Sequence, residues 1–361
     1  EPLETHVVVR FRVDGVLYDA ITPPKHFLDA IVVRIKILSD MDVTERRVPL
    51  DGRFTAEFEG RQVDVRVSTL PTVYGEKVAL RLLDKSVFSS KISDLGFEDT
   101  MLEAFRKALR KPYGMVLISG PTGSGKTTTL YSGLSELDRE ARNITALEDP
   151  VEYYLDRINQ VTINKKAGLT FATGLRALLR QDPDIIMVGE IRDLETAELA
   201  IRSALTGHLV LSTVHANDAA STATRMVDIG IEPFLVTSAV HLVMAQRLVR
   251  RICEDCKEPY TPDPLAVTSL DGDRLTDATF YHGKGCKRCK GRGYRGRVGV
   301  FEIMPVTPEI AELVLERAST ETIKRKAIEQ GLVTLKDAAV QKVLDGVTTV
   351  EEALAVCAEG V

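Results

Sequence analysis

No stretch of this chain approaches the ~18 consecutive apolar residues of a membrane span, and no cleavable N-terminal signal is visible. A membrane-spanning protein and a secreted one are set aside, and a cytoplasmic one is expected. Bulk charge is lacking too. The 47 basic and 52 acidic residues leave a net charge of −5 and a pI near 5.8, which argues against general attraction to nucleic acid or acidic lipid and leaves only local patches. There is no internal repeat and no low-complexity tract. At 361 residues the chain is too long for one ordinary core, so two or three domains are expected. Glu1 is not an initiator methionine and a strand-like pattern starts almost at once, so further residues are expected upstream.

Against these absences stands one complete phosphate-binding loop: Gly120, Pro121, Thr122, Gly123, Ser124, Gly125, Lys126 and Thr127, with Thr128 following. Such a loop must leave a buried strand and open a helix. The apolar run 114–119 and the helical spacing of apolar residues over 127–137 meet both conditions. Glycines let backbone N–H groups turn toward phosphate oxygens, and the helix adds its positive end. Lys126 then reaches the β- and γ-phosphates of ATP, and Thr127 holds Mg²⁺. One loop implies one nucleotide per chain.

Around this loop, strand-like runs at 114–119, 143–147, 185–188 and 209–213 alternate with helical ones, the pattern of an α/β fold with a mostly parallel sheet. The preceding part, 1–84, reads as a small α+β domain: an Asp14-Gly15 hairpin places Arg10 and Arg12 on one face, a helix spans about 24–39, and two strands cover 62–68 and 77–83. A polar linker is expected over 85–94, the core over 95–250, a cysteine-bearing insertion over 251–298 and a C-terminal helical region over 299–361 whose helices start from Pro308, with capping boxes starting at Thr334 and Thr349. His241 lies in an apolar run that reads as helical, with a structural role.

Hydrolysis of a phosphoanhydride needs an oriented water, an acid or base to manage it, and positive charge for the developing oxyanions. Two strand ends offer acids: Glu148, Asp149 and Glu152 around Pro150, and Glu190 after the buried run 184–188. His208 and His215 bracket the fourth strand. Each is a packed or surface histidine when taken singly, or a sensor of the γ-phosphate when it stands at the nucleotide end of the sheet.

Four of the five cysteines form two knuckles, Cys253/Cys256 and Cys286/Cys289. In a reducing compartment two C-x₂-C pairs point to one tetrahedral Zn²⁺ rather than to disulfides or a redox pair. Cys357 is left over as a packed residue. The basic run 284–297, which contains Tyr294, reads as a solvated face over this module, with nucleic acid or an acidic membrane surface as the alternatives.

The loop at 120–128, the acids at 148–152, the segment 179–193 and the segment 206–215 resemble the Walker A, Asp, Walker B and His boxes of the secretion ATPases, the bacterial motors of type II and type IV secretion and of pili. The resemblance runs from about Val7 to the C-terminus. It implies a RecA-like core behind a PAS-like domain, a homohexameric ring, and peripheral attachment to the inner membrane through a platform protein; from the net acidity, no nucleic acid is expected as partner. It implies that Glu152 is the catalytic glutamate and Glu190 the Walker B glutamate. Arg66 and Arg81, which match the family's arginine patterns, become fingers onto the γ-phosphate; without the resemblance they read as surface arginines in ion pairs. Members that assemble or export resemble this chain in carrying four cysteines, whereas retraction relatives lack them, which favours pilus assembly or type II secretion. Two rivals are a nucleic-acid translocase and a nucleotide-sensing adaptor that does not cycle. Val214 and Ala216 beside His215 depart from the family pattern, a difference that bears on the tuning of that box.

Overall fold

Positive φ at both Asp14 (50°) and Gly15 (89°) closes the first hairpin, the conformation a tight two-residue turn needs. It joins β1 (Val9–Val13) to β2 (Val16–Ile21). The computed structural model describes residues 1–58, 60–84 and 91–358. It divides into two compact units, residues 1–88 with 152–154, and residues 89–151 with 155–361.

In the first unit, Pro24 is extended and one tight turn precedes α1 (Leu28–Leu38), so the helix starts later than its sequence pattern suggests. Its Leu28 and Val32 pack with Val7 and Val78. Lys36, wholly buried, pairs with Glu76 at 2.6 Å. The antiparallel sheet runs β3 (Leu50–Phe58), β4 (Arg61–Thr72), β5 (Gly75–Asp84) in spatial order. Val65 and Val67 of β4 are buried, and by alternation Arg66 points to the other face. Of the expected linker, residues 85–90 lie outside the described residues.

The second unit opens with α2 (Asp99–Leu109), then β6 (Gly114–Ser119), α3 (Lys126–Ser135), β7 (Ile144–Glu148), β8 (Asn159–Thr162), α4 (Phe171–Leu178), β9 (Ile185–Val188), α5 (Leu194–Leu205) and β10 (Leu209–Val214). After α6 (Ala219–Asp228) and α7 (Pro233–Ala239) comes β11 (Val240–Ile252). His241 therefore lies on a strand, not on a helix: the run is flanked on both sides by pairing partners, which override any helical spacing. The cysteine-bearing part holds β12 (Lys257–Tyr260), α8 (Pro264–Leu275) and β13 (Phe280–Gly283), and β14 (Tyr294–Pro305) then returns to the main sheet.

Among the described residues that sheet has the order β14-β11-β6-β10-β9-β7-β8, parallel throughout except for β14. Every residue of β6, β7, β9 and β10 is buried, as both-sided helical cover requires. Helix follows from Pro308, where the sequence pattern starts it, since residues up to Pro305 are held in register with β11: α9 (Pro308–Leu315), α10 (Thr320–Glu329), α11 (Leu335–Leu344) and α12 (Val350–Ala358). Thr334 and Thr349 accept from the N–H groups of Asp337 and Glu352 at 3.2 and 3.4 Å, capping the last two helices.

Candidate active site

The phosphate loop leaves β6 at Ser119 and enters α3 at Lys126. Gly120 has φ 146°, and a Cβ there would come within 2.4 Å of the Gln246 carbonyl oxygen. Gly125, at φ 89°, is the N-cap of α3. Lys126 Nζ is folded back onto the carbonyls of Gly120 (2.7 Å) and Pro121 (2.9 Å). Burial, with the nearby Arg247 charge, pushes its pKa down to about 8 against the opposing pull of Glu190. Ser124 Oγ is buried and has no hydrogen-bond partner among the described residues. A loop whose lysine is satisfied by its own carbonyls, with an orphaned hydroxyl beside it, fits a polyphosphate that would take up both.

Register sets which side chains share this end of the sheet. Ser119 is paired with Val214 and with Ala245, and Val188 with Leu147 and Ser212. The carboxyl ends of β6, β7, β9, β10 and the middle of β11 thus form one rim. Glu190 lies there, two residues past β9, bonded by Arg192 Nε at 2.6 Å and facing His215 Nε2 at 3.6 Å. Glu148, at the end of β7, is buried and accepts from the Tyr131 hydroxyl and from Gln160 Nε2 at 3.0 Å. That carboxylate is fixed beneath α3.

His208 is not at this rim. Leu209 is paired with Gly114 at the start of β6, and the Gly114 N–H donates to the His208 carbonyl at 3.1 Å. Six strand residues at ~3.3 Å each separate the two histidines, so only one of them can be at the nucleotide end. His208 Nδ1 instead lies 3.0 Å from the Ser203 carbonyl. His208 thus lies at the end of β10 away from the phosphate loop, and His215 lies at the loop's end, facing Glu190.

Glu152 belongs, with Tyr153 and Tyr154, to the first unit, the one that carries Arg66 and Arg81, although Val151 and Leu155 on either side of these three residues belong to the second. Arg66 and Arg81 are directly paired across β4 and β5, and Arg53 is paired with Arg66 from β3. Arg53 had no motif to reveal it. Gln246 and Arg247, which flank the phosphate loop, were missed for the same reason: their run reads as apolar core, and only the pairing of β11 with β6 shows what they border. The Gln246 side chain accepts from Thr129 Oγ1 at 2.9 Å, tying β11 to α3.

The four cysteines come together as expected. Their sulfur atoms lie within 4.8 Å of one another, with Cys253–Cys286 at 3.8 Å, Cys256–Cys289 at 3.9 Å and Cys286–Cys289 at 3.7 Å. Four sulfurs at ~2.3 Å from a tetrahedral Zn²⁺ would be separated by ~3.8 Å. All are free thiols. N–H groups of Cys286 and Gly293 donate to Cys289 Sγ at 3.1 and 3.3 Å, as for a thiolate ligand. The donor set fits zinc.

A model of the Type II/IV secretion system protein family matches residues 1–355. Over 356 residues the chain is 49% identical to the type IV pilus assembly ATPase PilB of Myxococcus xanthus, a match covering 98% of this chain and 63% of that protein. Over 359 residues it is 48% identical to the type II secretion system protein E of Pseudomonas aeruginosa, covering 99% and 71%. The fold also matches the X-ray structure of the Legionella pneumophila ATPase DotB, with a TM-score of 0.69, 21% identity, and 98% and 91% of the two chains covered. This chain therefore spans about two thirds of the two curated relatives' length. No helix among the described residues is long and apolar enough to cross a membrane. On the family match and these identities, the chain belongs to the Type II/IV secretion system protein family.

Proposed function

We propose that this chain hydrolyses Mg²⁺-ATP and converts the cycle into motion that drives type IV pilus assembly or type II secretion. The observation that carries this reading is the convergence of Lys126, Glu190 and His215 at the carboxyl rim of the sheet, beside a phosphate loop of the required strand–loop–helix form. In this reading Lys126 and the loop N–H groups bind the phosphates and Thr127 holds Mg²⁺ with Glu190 near it. Glu152 polarises the attacking water, and Arg66 and Arg81 meet the γ-phosphate oxygens with planar, bidentate-capable guanidinium groups. The names of the relatives, an assembly ATPase and a secretion protein E, support the coupling to a pilus or secretion machine.

The finer parts of the proposal are a homohexameric ring, attached peripherally to the inner membrane through a platform protein, with Zn²⁺ held by Cys253, Cys256, Cys286 and Cys289. Phosphate release by the purified chain with Mg²⁺-ATP tests the first part, and Lys126→Ala should abolish it. Wild-type release by that variant would overturn the reading. The mass of the particle formed with a non-hydrolysable ATP analogue tests the ring, and a particle that stays monomeric counts against it.

A further inference from the structure

Arg247 is a charged side chain that the proposed cycle leaves unused. It lies on β11 two residues past Ala245, which is paired with Ser119 at the end of β6, so it borders the phosphate loop. It is 2% exposed, on a strand whose Met244, Ala245 and Val249 are buried, and it is paired across the sheet with Val300. Burying a guanidinium in such surroundings is costly unless its donors are well used. Its two terminal nitrogens go to two backbone carbonyls: NH1 donates to Gln246 at 3.1 Å and NH2 to Asn217 at 3.0 Å.

These carbonyls belong to the two sides of the site. The Gln246 oxygen is the atom against which Gly120 of the phosphate loop lies without room for a side chain. Asn217 is two residues past His215, which faces Glu190, and it immediately precedes Asp218, the N-cap of α6. One planar fork therefore spans from the wall of the phosphate loop to the loop that carries His215. A lysine ammonium is a point donor on a flexible stem and lacks the fixed fork that holds two carbonyls in one plane. The Arg247 charge also reaches Lys126, whose pKa it depresses.

We propose that Arg247 is a positioning residue for ATP hydrolysis: it fixes the Asn217 carbonyl, and with it the His215 loop, against the phosphate loop. The proposal rests on the nucleotide-hydrolysing reading above. It is tested in the full chain with Arg247→Lys and Arg247→Gln. Both should raise amide hydrogen exchange at residues 215–218 by tenfold or more, and both should lower kcat by tenfold or more with KM for ATP changed less than threefold. Combined with His215→Ala, Arg247→Lys should cost no more than the worse single change, since both remove one arrangement. Unchanged exchange at 215–218, a wild-type kcat for Arg247→Lys, or losses that multiply with those of His215→Ala would each overturn it. Should Arg247→Gln fail to fold, Arg247→Lys keeps the charge and decides. Failure of the underlying reading shows separately, as wild-type turnover in Lys126→Ala, while exchange at 215–218 still judges the tether.

Discussion

Arg66 and Arg81 stand directly opposite each other on β4 and β5, and Arg53 extends the row onto β3. Like charges placed opposite in a sheet repel, at a cost of several tenths of a kcal/mol per pair. Neither Arg66, half-buried, nor Arg81, exposed, forms an ion pair with an acidic side chain among the described residues, so only solvent screens the repulsion. Such a row suits an anion brought to it from elsewhere. Arg81→Ala should leave the melting temperature unchanged or slightly raised, and lower ATP turnover by ~10²-fold or more. Calorimetry beside a phosphate-release assay checks both. A less stable protein with intact turnover would return these arginines to a structural role.

Glu152→Gln keeps the size and hydrogen-bonding shape of the side chain and removes its basicity. If Glu152 takes or orients the proton of the attacking water, the variant should bind ATP with near wild-type affinity and lose about 10²- to 10⁴-fold in turnover. Nucleotide titration and single-turnover kinetics separate the two. A variant that turns over normally would move the base to another acid, of which Glu190 is at the rim.

Lys126 gives the site a pH dependence with a definite sign. Burial and the Arg247 charge hold its pKa near 8, below the ordinary lysine value, so the free protein loses this proton as pH rises through 8. Phosphate binding favours the charged form. ATP affinity should be flat below pH 8 and fall by up to about tenfold per pH unit above it, as each unit makes the required proton uptake harder. Calorimetric titration at pH 7, 8, 9 and 9.5 would show the break. Lys126→Arg, which stays charged, should abolish the break even where it binds more weakly.

How much of this was legible in the sequence follows from how local each signal is. The phosphate loop and the cysteine knuckles are contiguous motifs whose spacing encodes their geometry, and both stand where expected. The parallel strands could be read because a strand buried on both faces is a short apolar run. His208 misled because a pair of histidines bracketing a strand looks symmetrical in sequence, whereas a parallel sheet puts its two ends on opposite sides of the molecule. Gln246 and Arg247 were hidden because their significance depends on the pairing of β11 with β6, more than a hundred positions away. The row through Arg53 was hidden for the same reason: cross-strand register is a non-local property.

The cysteine cluster should stabilise more than its own loop. Arg250 lies over the Tyr294 ring at 4.0 Å and pairs with Glu352 at 2.7 Å, while the Ile252 N–H donates to the Val347 carbonyl at 2.9 Å. The strand entering the first knuckle and the strand leaving the second are thereby fastened to α12 and to the turn before it. Stripping Zn²⁺ with a chelator should lower the melting temperature by about 5–10 °C, a few kcal/mol at roughly 2–4 °C each. It should also expose α12 amides to hydrogen exchange. Metal analysis of the pure protein sets the baseline: all five thiols of the chain free, with no zinc bound, would end the assignment.

Glu302 makes a different kind of junction, and its removal should be felt in two helices at once. Its carboxylate is wholly buried on β14, with one oxygen accepting from the Ala219 N–H at 2.8 Å and the other from the Leu335 N–H at 3.0 Å. These are the first residues of α6 and α11, whose free N–H groups and positive ends suit a carboxylate. Desolvation raises its pKa, opposed by those same two donors and by Lys324. Glu302→Ala strands two buried donors at about 1–3 kcal/mol each, so a loss of roughly 2–6 kcal/mol is expected in denaturant unfolding. Glu302→Gln keeps one acceptor but turns an amide N–H₂ toward the other donor, so it should recover only part of that loss. A loss in either variant confined to one helix, with the other keeping its hydrogen-exchange protection, would show that Glu302 does not join the two.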